Sequence, residues 1–161
     1  MNTSEITETL ATLLRELVDG CPGEMCFMLN PRDPGLHRSL DRLSAADASQ
    51  AVHGGASIAA HVDHLLYGFS LMNRWADGEN PFREADWSAS WRRTSVTDEE
   101  WARLRTELRE QTQRWQRVVR TPREVATIEM NGMVGSIAHL AYHLGAIRQM
   151  NRAARGPSAD D

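Results

Sequence analysis

The sequence predicts an all-α protein, and three observations carry that reading. Apolar residues recur at helical spacing along four long segments. No segment alternates with the period of a strand, and the breaks fall at glycine, proline and capping residues. The simplest architecture is a four-helix bundle with long irregular connections before helices two and four.

The first helix is expected from about Ser4 to Asp19, where Ile6, Leu10, Leu13, Leu14, Leu17 and Val18 keep one face and Gly20 with Pro22 ends it. An irregular stretch follows, turn-rich from Asn30 to Gly35, then a short helical piece around Leu36, Leu40 and Leu43. Ser57 is a fitting N-cap for the second long helix, which should run to Asp77 with Gly78 closing it. A loop carrying Trp87 and Trp91 leads to Thr97-Asp98-Glu99-Glu100, a capping box and the clearest helix start in the chain. The third helix presents Trp101, Leu104, Leu108, Trp115, Val118 and Val119 on one side, and Pro122 interrupts beyond it. The fourth is expected from Asn131 to Ala154, stopping at Gly156-Pro157.

A chain of 161 residues, 41% hydrophobic and 25% charged, fits one globular domain. We assign residues 1–156 to it and 157–161 to a disordered tail. The net charge of −4 lacks the clustered positive excess of a nucleic-acid binder. No apolar run approaches the ~18 residues needed to span a bilayer, and the polar, acidic N-terminus is no signal peptide, so a cytoplasmic protein is expected. Every basic residue is arginine, which excludes Schiff-base and P-loop lysine chemistry. Cys21 and Cys26 have neither zinc-pair nor redox-pair spacing and read as a reduced structural pair.

Histidines carry the chemistry. His139 and His143 stand four apart, which on a helix puts them about 40° apart and one turn along, within reach of one ion. The best third ligand is His64 on the second helix. A local repeat supports it: Ser57-Ile58-Ala59 precedes His64-Leu65 as Ser136-Ile137-Ala138 precedes His143-Leu144. Between Met133 and Ile147 the only polar side chains are Ser136, His139, Tyr142 and His143, so this helix belongs inside the bundle. Buried histidines must be satisfied, since an unpaired buried polar group costs ~1–3 kcal/mol, and one metal ion would satisfy both. The bland alternative is that each histidine bonds a backbone carbonyl. His61, about 60° round the helix from His64, reads as a rim or supporting residue. His37 and His53 sit in turn-rich sequence and read as solvated, and Tyr142 and Asp63 point about 100° away from the ligands. Leu140 stands where a zinc peptidase of the H-E-x-x-H type has its glutamate, and the second and fourth helices lack the Glu-x-x-His pairs of di-iron bundles. No catalytic side chain is assigned beyond the ligands.

The runs Ser-Ile-Ala-Ala-His-Val-Asp-His-Leu at 57–65 and Ile-Ala-His-Leu-Ala-Tyr-His-Leu-Gly-Ala-Ile-Arg-Gln at 137–149 resemble the DinB/YfiT-like superfamily. The resemblance implies a four-helix bundle with a divalent metal (of zinc, nickel or iron type) on His64, His139 and His143. Members often have Gly-Gln after the last ligand; here Ala146 follows Gly145 and the glutamine falls at Gln149. The superfamily includes thiol S-transferases, a mycothiol-dependent maleylpyruvate isomerase and members assigned only as metal-dependent hydrolases. Three neutral imidazoles would leave an ion's charge uncompensated and a position open, the pattern of a catalytic site. The function expected is transfer of a low-molecular-weight thiol to a small electrophile. The alternatives are hydrolysis of a small molecule and a non-enzymatic metal- or ligand-binding module. A homodimer is the expected assembly, with no nucleic-acid or membrane partner.

Overall fold

A computed structural model describes residues 3–52 and 54–158. Among these residues it is all helical: α1 Thr3–Asp19, α2 Gly35–Asp41, α3 Ala45–Ser49, α4 Ile58–Ala76, α5 Asp98–Arg120 and α6 Thr127–Met150, with short 3-10 turns at Pro81–Glu84, Ala89–Trp91 and Arg152–Ala154. The only β pairing described is an isolated bridge between Ala51 and Ser57. His53 and residues 159–161 lie outside the described residues, so the readings of His53 and of the end of the tail meet no structure there. Among the described residues no helix is long and apolar enough to cross a membrane.

Capping residues set the phase of the long helices. The Ser57 hydroxyl accepts from the Ala60 amide at 3.2 Å. At the start of α5, Thr97 Oγ1 accepts from the Glu100 amide at 3.2 Å while Glu100 accepts from the Thr97 amide at 2.8 Å. Each such cap stabilises by about 1 kcal/mol by satisfying amides that the helix leaves free. α6 begins four residues earlier than its apolar pattern suggested, because the Glu129 carboxylate accepts from the Ala126 amide at 2.9 Å and closes the first turn. The connection into α6 is therefore short, spanning residues 121–126, and the long irregular one lies instead before α5. The long stretch before α4 contains α2 and α3.

Leu14 and Leu17 of α1, Leu36 and Leu40 of α2, Leu65 of α4, Leu108 and Trp115 of α5 and Leu140 and Leu144 of α6 are fully buried in one core. α4 packs along α5 and α6, and α1 packs against the same two helices. The indole N–H of Trp115 donates to Ser136 Oγ at 2.9 Å, tying α5 to α6, and that of Trp101 donates to the Leu43 carbonyl at 2.9 Å. α6 is not enclosed all round: Met133, Ile137, Leu140, Leu144 and Ile147 face the core, while Val134 and Tyr142 are exposed, Tyr142 at 71%. Its small and apolar residues fill the outer face as well, which is why sequence pattern alone suggested a central helix.

Polar contacts fix the chain between α1 and α2. The buried Glu16 carboxylate accepts from the amides of Phe27, Met28 and Leu29 at 2.7–3.1 Å. Cys21 and Cys26, expected to be reduced, are joined in a disulfide; Gly20, with φ +93°, turns the chain after α1 and brings their Cα atoms to 6.0 Å. Asp33, only 3% exposed, takes both guanidinium nitrogens of Arg148 at 2.9 and 2.6 Å and accepts from the Gly35 amide at 2.8 Å. This pair pins the turn before α2 to the end of α6. Asn30 donates to the Pro157 carbonyl at 2.9 Å, so the chain is still docked where the tail was expected to begin.

His37 is the other departure. It lies on α2 and is 5% exposed, not solvated. The Thr112 hydroxyl spends its proton on the carbonyls of Leu108 and Arg109, so at 2.9 Å it accepts from His37 Nε2–H. Burial, and then the Arg109 charge, lower the His37 pKa to about 4, with Asp19 and Asp41 opposing. The unfolded chain therefore binds this proton near pH 6.5 and the folded chain only near 4. The His37 contribution is fully present above pH 6.5 and is lost as pH falls toward 4. Urea denaturation of chelator-treated protein should show His37→Gln losing less stability than wild type between about pH 7.5 and 4.5, by on the order of 3 kcal/mol. Parallel pH profiles would contradict a neutral buried His37.

Candidate metal centre

Two helices bring the histidines together. His64 projects from α4, whose phase is set by Ser57, and His139 and His143 project one turn apart from α6. Their ligand atoms all lie within 4.8 Å of one another. His64 Nε2 is 3.1 Å from His139 Nε2, which is 2.9 Å from His143 Nε2. A metal–nitrogen bond of about 2.0–2.1 Å places neighbouring ligands about 2.8–3.4 Å apart in tetrahedral or octahedral geometry. The observed separations fit that range.

Hydrogen bonds behind the rings decide which nitrogens carry protons. The Ser90 hydroxyl donates to the Trp87 carbonyl at 2.9 Å, so toward His64 Nδ1, 2.8 Å away, it accepts. His64 is thus protonated on Nδ1, and its Nε2 lone pair is bare and aimed at the other two rings. His61 Nδ1 lies 2.8 Å from His143 Nδ1. With the shared proton on His143, His61 is the acceptor and the His143 Nε2 lone pair also faces inward. Two bare lone pairs can share at most one proton on His139 Nε2; a cation satisfies all three nitrogens at once. The donor set is what a borderline divalent ion takes, and rear partners of this kind orient such ligands.

The surroundings keep the rings neutral. His143 is 1% and His64 7% exposed, while His139 is half-buried. Trp91 stacks on His64 with ring centres 4.4 Å apart, and Trp87 flanks it at 5.7 Å. Burial, followed by His139 and His61, pushes His64 down to about 4. Burial, followed by His139, His61 and His64, pushes His143 down to about 3. Burial also lowers His139 and His61. At neutral pH all four imidazoles therefore offer lone pairs. No carboxylate joins the cluster among the described residues; Asp63 is paired with Arg93 at 3.2 Å.

The three histidines expected from the sequence are those that converge, and His61 stands behind them as the supporting residue. Tyr142 sets its ring edge against His143 at 5.0 Å but is otherwise exposed. Gln149 is exposed on a later turn of α6, against the Asp33–Arg148 region and away from the cluster. The two repeated serines play different parts. Ser57 caps α4, whereas Ser136 lies inside α6, donating to the Met133 carbonyl at 2.7 Å, so the repeat does not mark two equivalent helix starts. Ser90 carries no signal in the sequence: it is an ordinary residue between Trp87 and Trp91, and only the fold of residues 77–97 back over α4 brings it to His64. Beside His64 and His139 opens a cavity of about 850 Å³ between α4, α6 and that same segment.

Among the described residues, fold and cluster together define an all-helical protein with a largely buried three-histidine group able to hold a metal ion. The chain matches no family model, no curated protein and no solved structure.

Titration against a chromophoric chelator should show His143→Ala, His64→Ala and His139→Ala losing stoichiometric zinc. His61→Gln and Ser90→Ala should weaken affinity by about 10–100-fold, as loss of an orienting partner does, while still taking one ion at saturation. Zinc lost from His61→Gln but kept by His64→Ala would reassign the α4 ligand.

Proposed function

We propose that the chain is a four-helix bundle of the DinB/YfiT-like type, built on α1, α4, α5 and α6, and that His64, His139 and His143 hold one divalent ion with which it transfers a low-molecular-weight thiol to a small electrophile. The observation that carries this reading is the convergence of three neutral Nε2 atoms beside an apolar cavity. A divalent ion on three uncharged ligands keeps its full charge and lowers the pKa of a thiol or water sharing the site.

The chain's own residues favour the thiol. Neither Asp nor Glu lines the cavity, and His61 is engaged with His143, so no base stands ready to take a proton from water. A thiol, with an ordinary pKa of about 8.5, needs far less help to ionise than water does. Ser90 and His61 hold the ligand rings in place, and Trp91 covers His64 against solvent. In the transfer the sulfur bonds to the electrophilic carbon, the leaving group departs with its electron pair, and the thiol proton goes to bulk water.

The test uses cobalt-loaded protein with cysteine or glutathione as the thiol and a halogenated nitrobenzene as the electrophile. The thiol should change the cobalt spectrum, and conjugation should require both metal and His143. Ester or amide cleavage dependent on His143, with no spectral response to thiol, would replace transfer by hydrolysis. Binding of metal with neither activity would leave a metal-binding module.

A further inference from the structure

The cavity beside the histidines has a definite chemical character. Its walls are leucine, methionine, phenylalanine, tryptophan and isoleucine side chains together with three α6 or α4 glycines, and no Asp, Glu or Arg lines it. At about 850 Å³ it is the size of a pocket for a drug-sized molecule. Trp75 and Phe82 meet edge to face at 5.8 Å on one side, and Trp87 stands on another. Phe82 (39% exposed), Trp87 (41%) and Ile128 (66%) leave apolar surface open here, which a protein seldom does without a partner for it.

Two glycines shape the wall. A Cβ on Gly132 would lie 2.6 Å from the Trp75 ring, so glycine there lets the indole lie directly on α6. One turn away, a Cβ on Gly135 would meet nothing within 4 Å, so its absence leaves open room along the cavity wall. The polar groups at the wall are few. The Ser136 hydroxyl is already used by Met133 and Trp115. The exposed side chains of Asn80 and Asn131 carry no hydrogen bond within the described protein, which leaves both amides available to a ligand.

We infer that this cavity receives an uncharged aromatic small molecule, its ring against Trp75, Phe82 and Trp87, its polar edge at Asn80 and Asn131, and its reactive end toward His64 and His139. The inference rests on the preceding reading of the site and names the acceptor's chemical class. An anionic ligand would give up hydration with no cationic side chain along the walls to receive it, only an ion at the histidine end. A cationic one could face the indoles but would meet an ion of like charge at the histidine end. A neutral aromatic ring loses little on desolvation and gains the aromatic contacts.

Binding of 1-naphthol, 1-naphthoate and a naphthyl trimethylammonium ion, followed by quenching of tryptophan fluorescence, tests this. The protein is used zinc-loaded and again after chelation. Naphthol should bind one per chain, at least tenfold more tightly than naphthoate after chelation, where no ion can draw the carboxylate, and at least tenfold more tightly than the trimethylammonium ion in the zinc-loaded protein. Gly135→Leu, which suits a helix better than glycine and fills the cavity, should weaken naphthol at least tenfold while zinc stoichiometry stays at one. Equal or tighter binding of naphthoate by the chelated protein, or of the trimethylammonium ion by the zinc-loaded protein, overturns the inference, as does naphthol binding unaffected by Gly135→Leu. Because naphthol binding is read with and without metal, failure of the thiol-transfer reading would leave this result standing, and failure here with zinc still bound would leave the metal site standing.

Discussion

Three converging imidazole nitrogens, with His64 Nε2 and His143 Nε2 at 3.1 and 2.9 Å from His139 Nε2, are the constraint around which the rest of this structure makes sense. Such a group is costly unless something occupies its centre, because one shared proton leaves a buried acceptor that has given up water. A cation at that centre requires that no ring be protonated on its inward nitrogen. Burial holds the rings neutral, and Ser90 places the His64 proton on the outer nitrogen. The fold thus holds the rings neutral and His64 in the tautomer that a cation requires before any cation arrives.

Holding that geometry is a matter of helix register. His64 meets the α6 pair only if α4 and α6 neither slide nor rotate by a fraction of a turn. The Ser57 cap fixes the start of α4, and Asn73 ties its last turns to α5 by donating to the Gln111 carbonyl at 3.0 Å. On α6, the Trp115–Ser136 hydrogen bond sits about one turn before His139, and the Arg148–Asp33 pair lies about a turn and a half beyond His143. Breaking a buried ion pair of that kind by removing one partner costs about 3–5 kcal/mol, so it acts as a firm stop on the helix. The open end of the site lies toward the aromatic cavity, where the segment between α4 and α5 supplies Phe82 and Trp87 as well as Ser90.

Much of this was legible in the residues. The Thr97–Glu100 box and Ser57 cap announced their helices, and the spacing of His139 and His143 with His64 named the three that converge. Periodicity is a local signal, and it works where one helix face meets the core. It misled for α6, because small and apolar residues there cover the exposed side too, and an all-apolar helix looks the same whether enclosed or half open. Ser90, the partner of His37 and the Cys21–Cys26 disulfide depend on chain segments meeting across loops, which no local pattern encodes. The start of α6 was missed for a smaller reason: Glu129 caps the helix without a serine or threonine at the cap position.

The central claim is that His64, His139 and His143 together bind one ion, and the most direct measurement is X-ray absorption at the zinc edge of zinc-loaded protein carrying no histidine tag. The account predicts about one zinc per chain with a nitrogen shell at about 2.0–2.1 Å and the outer-ring scattering of three imidazoles. A shell dominated by oxygen, scattering from fewer than two imidazoles, or protein that retains no zinc after dialysis would contradict it.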